Sequence, residues 1–166
     1  MGADRRMKRA FLVALILTGA GAFAAEPSCT ANLAVLPVHP TPNRNQVILQ
    51  AFINEAGPFN FLLDTGSQVT MVDESLAAEL HLQPTAKASV VGVSLQGKGG
   101  KYALVNSVRV GESAKVGSLY VLAFDMKEMH AAGFKVRGLI GEDFLSHFDA
   151  TIDNTHNRVC FTGVED

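Results

Sequence analysis

The sequence predicts an all-β domain. Short runs rich in β-branched and aromatic residues recur between turns built on Gly, Pro and Asn. Stretches with helical character are few and short, and no repeat of solenoid period or low-complexity tract interrupts the chain. At 166 residues, 48% hydrophobic and 18% charged, the chain is long enough for one domain with a sizeable core and unlike a disordered segment.

Residues 1–24 read as a secretory signal. Arg5, Arg6, Lys8 and Arg9 make a basic start, Phe11 to Thr18 an apolar centre, and Ala22-Phe23-Ala24 a small-x-small cleavage pattern. The apolar stretch falls short of the ~20 residues a bilayer span needs, although an uncleaved anchor is the competing reading. The Arg pair lacks the rest of a twin-arginine signal, and Cys29 follows Glu-Pro-Ser, not a lipobox. The expected destination is therefore outside the cytoplasm, in a periplasm or beyond, with no stable membrane insertion after cleavage.

Loss of that segment takes away four of the 14 basic residues and one of the 16 acidic ones, leaving 10 against 15. No Lys/Arg cluster remains, which excludes a nucleic-acid surface. Two cysteines, Cys29 and Cys160, stand near opposite ends of the mature chain. An oxidising compartment makes an intrachain bridge one option; an intersubunit bridge or two free thiols are the others.

Residues 25–45 form a Pro-rich arm, with Pro37, Pro40 and Pro42 and a short strand near Leu33 to Leu36. Residues 46–166 make the domain. Gln46 to Asn54 and Phe59 to Leu63 are expected as strands about a turn at Glu55 to Pro58, followed by β-rich Gln68 to Val72. Asp73 is placed to cap a helix from Glu74 to His81, with Pro84 beyond it. Ala88 to Leu95, Tyr102 to Val110 and Ser118 to Phe124 follow as strands. Asp125 to Ala132 is a helical turn broken by Gly133, Val136 to Ile140 a buried strand, and Glu142 to Phe148 a short helix. Ala150 to Asp153 and Arg158 to Thr162 complete the set around Asn154 to Asn157.

Chemistry concentrates at Phe61-Leu62-Leu63-Asp64-Thr65-Gly66-Ser67. Apolar residues bury the incoming strand, and the carboxylate of Asp64 emerges at a turn where Gly66 leaves room for its own N–H to approach the acid. Thr65 and Ser67 supply hydroxyls to hold the loop. Asp, Thr and Gly are also ordinary turn formers, and the tripeptide alone is weak evidence. About 70 residues on comes Gly138-Leu139-Ile140-Gly141, a buried strand stopping at glycine ahead of a short amphipathic helix.

In that order and separation the two segments resemble the retropepsin-like aspartic proteases, over roughly Val47 to Phe161. The resemblance implies a closed β-barrel with one or two short helices. In it the Asp-Thr-Gly loop lies beside the strand of Leu139, Ile140 and Gly141, which serve as structural support. It implies peptide hydrolysis by a pair of aspartates, with Asp64 as catalytic residue and no cofactor. It also places a flap at Gly97-Lys98-Gly99-Gly100, whose spacing fits no phosphate loop.

A second Asp-Thr-Gly or Asp-Ser-Gly is missing from the sequence; Asp125, Asp149 and Asp153 lack the glycine turn. One chain thus holds half a dyad, and the economical arrangement is a homodimer acting on a polypeptide, with Thr65 interlocking across its axis as the resemblance implies. The rival reading is a non-catalytic barrel kept as a peptide-binding or structural module of the cell envelope. His39, His81, His130, His147 and His156 show no metal-ligand spacing, and no serine or cysteine nucleophile motif occurs, so no metal is expected.

Overall fold

Strand β2 (Ile48–Ile53) alternates half-buried and buried residues, putting Leu49, Ala51 and Ile53 into the core, as period-two patterning requires. It is preceded by the two-residue β1 (Leu36–Pro37). The computed structural model describes residues 36–37, 46–89, 99–153 and 155–163. The signal segment, most of the Pro-rich arm, Cys29, Gly97 and Lys98 lie outside them.

β2 turns into β3 (Ala56–Leu63) at Asn54-Glu55, earlier than the Glu55 to Pro58 turn that the sequence suggests. Both turn residues have positive φ, 50° and 64°, the backbone of a two-residue hairpin turn whose twist matches the strands. Glutamate is an uncommon occupant of such a site, which hides the turn in the sequence. The Asn54 side chain anchors it, its Oδ1 accepting from the N–H groups of Asn106 and Ser107 at 2.7 and 3.2 Å. The Gly57–Pro58 peptide, which is cis, falls inside β3.

Beyond β3 come β4 (Met71–Asp73), helix α1 (Glu74–Glu79) and β5 (Pro84–Ser89). The long hairpin of β6 (Gly99–Val110) and β7 (Ala114–Phe124) follows, then α2 (Lys127–Ala131), β8 (Gly138–Ile140) and α3 (Glu142–Leu145). The chain closes with β9 (Phe148–Asp153) and β10 (Arg158–Gly163). Asp73 caps α1 as its position suggests, accepting from the Ser75 N–H at 3.4 Å and the Ser75 hydroxyl at 2.9 Å.

Six strands close a barrel in the order β2-β3-β8-β4-β7-β6, and β6 returns to β2 through Ala51 opposite Val110 and Ile53 opposite Val108. β5 adds to the free first half of β6. The expected closed, mostly β architecture is therefore present, with three short helices where one or two are expected; α1 and α3 bury residues in its core. Gly99 and Gly100 open strand β6 opposite Ser89 and Ala88, so the glycines expected at a hairpin tip are partly in the ladder. β6 alternates from Ala103 to Ser107 and changes phase at Ser107 and Val108, both buried, so that Ala103, Val105, Val108 and Val110 meet Leu76 and Ala77 of α1 and Phe144 and Leu145 of α3 in one cluster.

A second sheet, β1-β10-β9, lies on the aromatic end of that core. Phe144, Phe148 and Phe161 stack there with ring centroids 5.2 to 6.3 Å apart, pairs worth ~1 kcal/mol each beyond their burial. Asp153 closes the β9–β10 turn, taking the N–H groups of Thr155 and His156, His156 Nδ1 at 2.7 Å and Arg158 Nε at 2.8 Å. The His156 contact above all, then Arg158, draws its carboxyl from 3.8 down to about 2. Cys160 is buried and disulfide-bonded. The only other cysteine of the sequence, Cys29, lies outside the described residues.

Candidate active site

Strand β3 delivers Asp64. Phe61 is fully buried, and Phe61, Leu62 and Leu63 pair in parallel with Gly138, Leu139 and Ile140 of β8. The Asp64 N–H extends that ladder by one rung, donating to the Ile140 carbonyl at 3.0 Å. There the chain turns. The Gly66 N–H donates to Asp64 Oδ1 at 3.0 Å, the Ser67 N–H to the Asp64 carbonyl at 3.2 Å, and the Ser67 hydroxyl to the Val69 carbonyl at 2.7 Å. The carboxylate is half-buried, with Thr65 and Gly66 exposed beside it.

Gly66 acts through space and not through handedness. Its φ is not in the left-handed region, but a Cβ there would sit 3.3 Å from Asp64 Oδ1. Leu139 and Ile140 are core residues, 5% and 0% exposed, because β8 is flanked on one side by β3 and on the other by β4. Gly138 and Gly141 bracket them for a different reason. An added Cβ at Gly138 would lie 2.1 Å from the Phe61 ring and 2.4 Å from the Met71 carbonyl oxygen. At Gly141 it would lie 2.5 Å from the Val69 carbonyl carbon. The loop after Asp64 thus crosses directly over the end of β8, possible only where β8 has no side chain.

Two residues that sequence reasoning passed over lock this crossing. Asp143 Oδ1 accepts from both the N–H of Thr70, at 2.8 Å, and its hydroxyl, at 2.7 Å. The Gly141 N–H in turn donates to Thr70 Oγ1 at 3.2 Å. Thr70 is fully buried, so these bonds are its solvation. The Glu142 N–H to the Ser67 carbonyl, at 2.8 Å, adds a further tie between α3 and the loop. The one sequence signal was an acid in the first turn of α3, which suggests only a helix-dipole contact. Asp143→Ala should lower stability by about 2 kcal/mol, since it strands two buried donors of Thr70. Asp143→Asn, which keeps an acceptor oxygen, should lose much less. Urea midpoints compared at constant m-value decide this.

The other aspartates stand apart in role. Asp153 belongs to its hairpin turn, and Asp125 accepts the Lys127 N–H at 3.0 Å. Among the described residues no group of three His, Cys, Asp or Glu side chains is arranged to hold a metal ion. Two concavities, of about 330 and 570 Å³, are lined by residues of α1 with the β5–β7 strands and by the Asp73–His130 region; neither includes Asp64. No described helix is long and apolar enough to cross a membrane.

A closed mixed barrel whose third strand ends in a glycine-braced aspartate, threaded past a buried apolar-apolar-Gly strand, has the architecture of an acid-protease domain. Comparison with known proteins agrees. The aspartyl protease family model matches residues 49–144, more than half of the chain, and the chain belongs to that family, with a retropepsin-like fold. A retropepsin-like aspartic protease from Rickettsia conorii superposes with a TM-score of 0.52 at 15% identity, covering 78% of this chain and 89% of that one. The retroviral protease-like domain of Ddi1 from Leishmania major gives a TM-score of 0.44 at 17% identity over 70% of this chain and 94% of its own. No curated protein sequence matches at significance.

Proposed function

We propose that two copies of this chain pair into an aspartic endopeptidase, with one Asp64 from each. The observation that carries this reading is the half-exposed Asp64 carboxylate held by the Gly66 N–H at the end of β3, in a sequence with no second such loop. Two carboxylates brought about 3 Å apart cannot both ionise, so they share one proton. The ionised member takes a proton from water as it attacks the scissile carbonyl; the protonated member donates to the carbonyl oxygen. Thr65, exposed beside the acid, faces the partner. The flap assigned to Gly97-Lys98-Gly99-Gly100, of which Gly99 and Gly100 open β6, covers an extended peptide and pairs with its backbone.

Export fits the basic and apolar start of the sequence, and a disulfide-bonded Cys160 suits an oxidising compartment; we assign its partner as Cys29. The dyad gives the pH dependence its sign. Activity is highest at mildly acidic pH and falls as the shared proton is lost and two like charges face each other.

Dilution is the test. Cleavage of an unstructured polypeptide should scale with the square of subunit concentration well below the dimer dissociation constant, and linearly above it. Constant activity per subunit in a strict monomer would overturn the proposal. A strict monomer that binds peptides without cutting them would favour the non-catalytic module instead.

A further inference from the structure

We propose that Leu104 and Tyr120 form a docking patch for the polypeptide substrate, taking a large apolar side chain about four to six residues from the scissile bond. This rests on the protease reading above and adds where the substrate is held away from the acid.

The strand register leads from Asp64 to this pair. Leu62 of β3 is matched with Leu139 of β8, Leu139 with Met71 of β4, Met71 with Leu122 of β7, and Leu122 with Tyr102 of β6. These five make one apolar row on the sheet face turned away from the main core, where Phe61, Val72, Ala103, Ala123 and Ile140 point instead. β8 runs parallel to β3, β4 antiparallel to β8, β7 parallel to β4, and β6 antiparallel to β7. Two residues onward in the direction of Asp64 therefore come Gly141, Val69, Tyr120 and Leu104. A step of two keeps the same face, so Asp64, Tyr120 and Leu104 stand on one line across the sheet. The Leu122 N–H, donating to the Thr70 carbonyl at 3.0 Å, holds β7 against the chain between Val69 and Met71.

Exposure separates the two rows. Met71, Leu122 and Leu139 are buried, whereas Tyr120 at 54% and Leu104 at 47% are the most exposed large apolar residues among the described ones. They are also direct cross-strand partners, so the two side chains make one surface. Between them and Asp64 the line carries only Gly141 and Val69, neither charged nor bulky. What the line accepts is therefore apolar, and a tyrosine beside a leucine is a strong anchor for it, combining large contact area with few torsions to immobilise.

Strand spacing sets the reach. In the order β3-β8-β4-β7-β6, Tyr120 is three strands from Asp64 and Leu104 four, about 14 and 19 Å at a spacing of ~4.8 Å. An extended peptide advances ~3.3 Å per residue, which gives the separation of about four to six residues. Continuity with the acid makes the occupant the substrate itself and not an unrelated partner. In the proposed dimer the second copy offers the same pair on the other side of the bond, so a well-held substrate carries two such residues, one on each side of the cut.

The double variant Leu104→Thr, Tyr120→Thr keeps the β-forming character of both positions and removes the apolar surface. Each enzyme digests a mixture of unfolded polypeptides, and the cut sites are read by mass spectrometry. Wild-type cuts should show large apolar residues about four to six positions from the bond, enriched roughly threefold over uncut bonds. The variant should lose that enrichment and keep the wild-type preference next to the bond. On a long peptide chosen from those cuts its KM should rise about fivefold with kcat unchanged, the mark of lost uniform binding. A short peptide with the same centre should be cut equally by both enzymes, and circular dichroism should be unchanged. Identical cut-site profiles, or equal losses on the long and short peptides, would overturn the patch while the cleavage itself upholds the protease reading. Weaker self-association of the variant by sedimentation velocity would assign the pair to a contact between copies and overturn the patch as well. A wild type that cuts no polypeptide would remove both.

Discussion

Asp64→Asn should abolish cleavage of unstructured polypeptide while leaving the fold intact. In the proposed dimer one substitution removes both carboxylates, so neither the base that activates water nor the acid that protonates the carbonyl oxygen remains. General acid–base catalysis alone is worth up to about 10⁴-fold, and a fall on the order of 10³ or more is expected. The fold should survive because an amide oxygen can still accept the Gly66 N–H that now lies 3.0 Å from Asp64 Oδ1. The Asp64 N–H to Ile140 bond is untouched, being made by the backbone. Turnover under single-substrate conditions, with circular dichroism and urea unfolding of the same sample, checks both halves. Mixing variant with excess wild-type subunits sharpens the result. Heterodimers hold one carboxylate and should be as inactive as the variant homodimer. Activity of the purified variant near the wild-type level would show that cleavage does not depend on this residue.

The second large effect is on stability. Gly141→Ala should lower it by about 3 kcal/mol, at the upper end of what overpacking usually costs. The backbone at Gly141 is extended, with φ near −101°, so alanine meets no conformational strain. What it meets is the Val69 carbonyl carbon and oxygen at 2.5 and 2.6 Å and the Thr70 nitrogen at 2.9 Å. All three belong to backbone, so no side chain can swing away. Relief requires the 67–70 loop to lift from β8, loosening the Thr70–Asp143 and Gly141–Thr70 bonds together. Urea unfolding should show a lower midpoint, and activity should fall further than stability because the loop that moves carries Asp64. Gly66→Ala is the contrast: its Cβ would lie 3.3 Å from a single carboxylate oxygen, and its stability cost should be well below that of Gly141→Ala. Equal stabilities for Gly141→Ala and the wild type would mean that the crossing is looser than these distances require.

Much of this was legible from local pattern. The β3 run into Asp64, the Asp73 cap, the buried Leu139-Ile140 pair and the short helix after Gly141 are all readable because each depends on near neighbours or on simple burial. The β2–β3 turn was misplaced by a few residues. Gly-Pro is the stronger turn signal, whereas Asn54-Glu55 is held by a contact to Asn106 and Ser107 some 52 residues away. β6 and β7 each begin earlier than their apolar runs suggest, because their first residues are held by ladder partners and not by composition.

The sequence by itself determined the Asp64 loop: one acid, one glycine turn, and no second Asp-Thr-Gly or Asp-Ser-Gly. Only the tertiary structure decided what holds that acid in place. The loop is pinned by Thr70 to Asp143, 73 residues apart, and by the close crossing at Gly141. Such contacts follow from how strands cross, and pairs so far apart in the chain leave no periodicity to read. The same holds for Leu104 and Tyr120. They look like ordinary strand residues in the sequence, and only the folded sheet sets them on the line of Asp64.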